Sequence, residues 1–130
     1  MNKINYGYGK KVNTSFDQAI ERVKEELQKE NFGILTEIDV KATLKKKLNV
    51  DFQDYVILGA CNPPNAYKSL QAEIEIGLML PCNVIVYQKD DDIFVSAVMP
   101  TIAMGMIDNE SLKDVAVNIE NKLKKVIDRL

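Results

Sequence analysis

At 130 residues, the chain has the length of one domain, which would bury roughly 65–70% of its unfolded surface. Its apolar share of 46% and charged share of 28% are ordinary for a globular protein. A net charge of −2 and an isoelectric point near 5.2 exclude a global field that would draw it onto nucleic acid or anionic lipid. The Lys45-Lys46-Lys47 cluster is too short to reverse that and reads as a solvated helix face.

Met1 to Val12 alternates polar and apolar residues without a continuous hydrophobic core, so no signal peptide is expected. No run approaches the roughly 18 apolar residues a membrane span needs. A cytoplasmic location is expected, where thiols stay reduced. Cys61 and Cys82, the only cysteines, are then buried small residues, a metal or redox pair, or one reactive thiol and a bystander. Histidine is absent, which excludes Ser-His, Cys-His and His-zinc sites.

In chain order, Ile4, Tyr6, Tyr8 and Val12 share one side of an alternating run, a strand with one buried face. Ser15 and Gln18 form a capping box ahead of a helix with the stripe Phe16, Ala19, Ile20, Val23 and Leu27, and Gly33 is expected to supply its left-handed stop. Ile34 to Ile38 is a short strand; Asp39 caps a small helix carrying Val40, Leu44 and Leu48. Val56 to Cys61 is apolar on both faces, the pattern of a central strand covered on each side. Asn62 and Pro63 then suit the N-cap and first position of a helix continuing through Ala66, Leu70 and Ile74.

Ile76 to Leu80 is expected to be an irregular buried connection. Strands Cys82–Gln88 and Ile93–Met99 flank a polar hairpin turn of four residues, 89–92. A Met-bearing loop spans Pro100 to Ile107, and Asn109 or Asp108 caps a last helix with a broad apolar stripe from Leu112 to Leu130. The order predicts a single α+β domain over residues 1–130: a two-layer sandwich of a mostly antiparallel sheet of about five strands, with two long helices on one face.

Three motifs, Phe32-Gly33-Ile34-Leu35-Thr36-Glu37-Ile38-Asp39, Ile57-Leu58-Gly59-Ala60-Cys61-Asn62-Pro63 and Leu80-Pro81-Cys82-Asn83-Val84, resemble the small bacterial and archaeal proteins grouped as domain of unknown function 302. The resemblance covers nearly the whole chain. It implies a TATA-binding-protein-like fold and a compact homodimer, and brings no agreed activity. DNA binding does not follow, because fold does not carry function and the chain is acidic.

The two Cys-Asn steps concentrate the site chemistry. Cys61 would end a buried strand one residue before a helix N-terminus, whose dipole and N–H groups can stabilise a thiolate; it is the candidate nucleophile, with Cys82 as its resolving partner. The twenty intervening residues are unlike thioredoxin spacing. Cys61 and Cys82 could instead bind Zn(II) or Cu(I), although two thiolates are too few for a closed site unless Glu73, Glu75 or a dimer mate contributes. Alternatively, Asn62, Asn65 and Asn83 at the helix N-terminus could hold a small polar or anionic ligand, the thiols only lining the pocket. No cofactor is required by any motif, and neither nucleic acid nor membrane is expected as a partner.

The leading expectation is a homodimeric binding module for a soft metal ion or small polar molecule. A thiol redox protein and an interaction module without a small ligand are the alternatives. Glu37 with Asp39 reads as capping rather than acid–base chemistry, and 90–92 as a solvated turn rather than a calcium loop.

Overall fold

The computed structural model describes residues 4–130. Met1–Lys3, the start of the segment read above for a leader, lie outside them. Five strands form one antiparallel sheet: β1 (Gly7–Val12), β2 (Gly33–Asp39), β3 (Tyr55–Cys61), β4 (Cys82–Lys89) and β5 (Asp92–Val98), in the order β1-β5-β4-β3-β2. Helices α1 (Phe16–Lys29) and α5 (Glu110–Asp128) are the long ones; α2 (Val40–Leu48), α3 (Pro63–Ala72) and the one-turn α4 (Pro100–Ala103) are short. This is the predicted α+β sandwich.

The core follows from two matching periodicities. Inward positions of the middle strands, Leu58, Val84, Val86 and Val95, are fully buried beneath Val23 and Leu27 of α1 and Leu123 and Val126 of α5. Each such side chain contributes about 1.5–3 kcal/mol relative to exposure. Polar contacts then fasten the helices at one end. Arg129 bonds the carboxylates of Glu26 and Glu30, and Arg22 donates to the carbonyl of Arg129 at 3.1 Å. Both carboxyls sit below their usual titration range, Glu26 through Lys29 and then Arg129, Glu30 through Arg129.

The caps largely match the sequence. Ser15, Asp39, Asn62 and Asn109 each accept a bond from a first-turn amide. Several local expectations need correction. The left-handed residue ending α1 is Asn31 (φ 65°), not Gly33, which begins β2. The Phe32 amide bonds the Leu27 carbonyl and the Asn31 amide that of Gln28, closing the helix end. The β4–β5 turn has two central residues rather than four: Lys89 pairs with Asp92, and Asp90 takes φ 56° without glycine. Helix α3 stops at Ala72, and Ile74–Met79 forms a 3-10 turn with Ile76 buried and Leu78 84% exposed. Within the expected 100–107 loop, Pro100 starts a helical turn.

The largest departure concerns β3. It is an inner strand, but helices α1 and α5 cover only one face of the sheet, so its outward Ile57 is half-buried rather than enclosed.

Candidate functional site

β3 and β4 are antiparallel neighbours, so the end of one meets the start of the other, as the sequence suggested. Ala60 lies opposite Cys82. Both therefore turn toward the helices, and Cys61, one residue on, is out of phase. The thiols are offset neighbours at one rim of the sheet, not a face-to-face pair. Both border a single cavity of about 280 Å³. Its remaining wall is almost wholly carbon, with Phe32 and Leu35 on one side, Ala66 and Leu70 of α3 above, and Leu80 and Ile119 closing it.

Asn62 borders the same cavity, yet its amide is spent. Its Nδ2 donates to the carbonyls of Glu30 (3.2 Å) and Asn31 (3.4 Å), and its Oδ1 accepts from the Asn65 amide (3.3 Å) and Asn65 Nδ2 (3.0 Å). Asn65 passes the chain on to Asn118 of α5 at 3.0 Å. Three asparagines thus tie the end of α1, the start of α3 and the middle of α5 together. Asn83 is not among them: it is exposed on the opposite face of the sheet, across from Gly59.

This arrangement weakens the anion expectation for a specific reason. Of the first residues of α3, Pro63 and Pro64 have no N–H, the Asn65 amide is capped by Asn62, and the Ala66 amide bonds the Asn62 carbonyl. No first-turn donor is left to face a ligand. The thiol chemistry is likewise not that of an activated nucleophile. Burial pushes Cys61 upward, and burial together with the neighbouring Cys61 raises Cys82 to about 11.

Both thiols are therefore protonated at neutral pH. The alkylation rate of each should inflect above the ordinary thiol value of about 8.5, with half-buried Cys61 reacting before buried Cys82. Rate profiles for Cys61→Ser and Cys82→Ser variants check this; an inflection near pH 7 in either would overturn it.

Among the described residues no group of three or more Cys, Asp and Glu is arranged to hold a metal ion. Glu73, one of the two carboxylates considered as a third donor, accepts instead from Asn109 Nδ2 at 3.2 Å. Sequence reasoning missed Phe32, Leu35, Leu70, Ile119 and Asn118. The four apolar ones carry a spacing that marks only packing, Asn118 reads as an ordinary polar helix residue, and nothing local signals that α5 reaches this end of the sheet.

A match to the family model described as "Domain of unknown function DUF302" spans residues 8–130. No curated protein matches the chain. Among solved structures, the crystal structure of an uncharacterised conserved DUF302 protein from Bacillus stearothermophilus is 35% identical, covering 95% of this chain and 97% of that one, with a TM-score of 0.90. No helix among the described residues is long and apolar enough to cross a membrane. With its three motifs, its antiparallel sheet and nearly its whole length matched, the chain belongs to the domain of unknown function DUF302 family.

Proposed function

We propose that the protein is a small homodimeric binding module that holds an uncharged, largely apolar ligand in the cavity bordered by Cys61 and Cys82. One observation carries this reading: the cavity wall is hydrocarbon and protonated thiol, and its only amide is fully hydrogen-bonded to the protein itself. A charged ligand would lose its hydration there and recover nothing. An apolar one loses only ordered water, and smaller cavities of about 150 Å³ already accept benzene. The soft-metal alternative needs donors beyond the two thiols.

The test is titration of the reduced protein with 1-octanol and with octanoate, followed by amide chemical shifts. Octanol should move the resonances of Phe32, Ala66, Leu70 and Leu80, and octanoate should bind at least tenfold more weakly. Filling the space with Ala66→Phe should abolish the octanol shifts. Stronger uptake of octanoate, or Zn(II) uptake lost in the Cys61→Ser, Cys82→Ser double variant, would replace this reading with the anion or metal one.

A further inference from the structure

A second cavity, of about 290 Å³, lies between α4 and the first turns of α5, at the opposite end of that helix from Arg129. Its floor follows from helical spacing. Leu112 and Ala116, four residues apart on α5, are buried with Met104 and Ile76 in a small core of their own. Lys113 and Val117 stand one position further round the helix and form the rim, Val117 being 48% exposed. The far end is held by a buried carboxylate. Glu120 accepts from the Thr101 amide at 3.1 Å and from Thr101 Oγ1 at 2.6 Å, which pins α4 onto α5.

The polar side chains of this wall differ in how far they are committed. Thr101 is spent on Glu120. Asn109 donates to the Ala72 carbonyl at 2.8 Å and to Glu73 at 3.2 Å, and accepts from the Ser111 amide. Lys113 is the one charged residue in the wall, and among the described residues its ammonium pairs with Glu110 alone, 2.7 Å away. The Glu110 side chain is 82% exposed. So exposed a pair contributes little, and another carboxylate can take its place.

We propose that this cavity is a second binding site, for a small amphipathic carboxylate. The carboxylate replaces Glu110 on the Lys113 ammonium, and the alkyl chain lies along Met104, Leu112, Ala116 and Val117. Apolar cavities of about 150 Å³ accept benzene, so this one has room for a medium-length chain. The unbranched thioether of Met104 adapts to its shape. The head group stays at a solvated mouth, where it keeps most of its hydration and gains a counter-charge. The thiol-lined cavity offers neither, so this site goes beyond the reading above and does not depend on it.

Titration of the full chain with octanoate, 1-octanol and octylammonium, followed by amide chemical shifts, tests this. Octanoate should move the resonances of Met104, Gly105, Leu112 and Val117. Read there, it should bind at least tenfold more tightly than either other probe. Lys113→Met keeps the stem and removes the charge; it should weaken octanoate at least tenfold and abolish its advantage over octanol. Glu110→Gln removes the competing carboxylate and should strengthen octanoate at least twofold. The amide spectrum reports whether each variant is folded, and Val117→Glu, which sets a negative charge at the exposed rim, serves if Lys113→Met is not. Octanoate that leaves these four resonances in place, or binds the folded rim variants as tightly as wild type, would overturn the site. Octanol binding there as tightly as octanoate would overturn the carboxylate. The thiol-lined cavity reports separately, through Phe32 and Leu80, so neither result touches its ligand.

Discussion

Replacing Asn62 by alanine is expected to destabilise the protein by about 2–4 kcal/mol. Loss of an N-cap costs about 1 kcal/mol. Leaving the buried amide of Asn65 and the carbonyls of Glu30 and Asn31 short of partners adds about 1–3 kcal/mol. The four hydrogen bonds of Asn62 hold the end of α1 against the start of α3, so the cost is spread over two helices and the cavity between them. Urea unfolding measures it. Asn62→Asp is the informative companion, because it keeps the acceptor of the cap and removes the two donated bonds; it should recover part of the loss. An alanine variant within 0.5 kcal/mol of wild type would show that this cluster is incidental.

Gly59→Ala should cost about 1–3 kcal/mol, for the opposite reason: too much matter rather than too little. A methyl group there would run into Thr36 Oγ1 and come within 2.7 Å of Pro81 Cγ. Gly59 has negative φ, so backbone freedom is not what requires glycine; the close approach of two neighbours is. Thr36→Ala should restore part of the loss in the double variant, and a double-mutant cycle reads that coupling directly. Purely additive effects would remove Thr36 from the explanation.

The fold was legible wherever a single segment carried its own signal. The stripes of α1 and α5, the caps Ser15, Asp39 and Asn62, and the alternation of β4 and β5 all reduce to local periodicity or hydrogen-bond chemistry. Errors arose where two residue types satisfy one backbone requirement. Gly33 and Asn31 can both end a helix in the left-handed region, and Asp90 reaches it in the turn without any glycine. The open sheet face was illegible for a different reason. Val56 to Cys61 reads as covered on each side because it is apolar on both faces, and nothing in that pattern says whether a layer of this chain covers the second face.

The site was half legible. The sequence brings Cys61 and Cys82 to one rim, and the antiparallel register does so. It also suggested that the asparagines were offered to a ligand, whereas Asn62 and Asn65 bond each other and the main chain and Asn83 lies on the other face. An amide's availability depends on partners thirty and fifty residues away, such as the Glu30 carbonyl and Asn118. Residue spacing cannot report that.

The strand order has a consequence for assembly. β1 obtains its ladder partner from β5, Gly7 meeting Val98 and Val12 meeting Ile93, so it must wait for almost the entire sheet to be synthesised. Closing so large a loop has to be paid in chain entropy before any of its hydrogen bonds form. A nascent chain emerging from the ribosome can therefore zip β2, β3 and β4 as successive neighbours, but its first strand remains a loose, adhesive ribbon until β5 arrives to claim it.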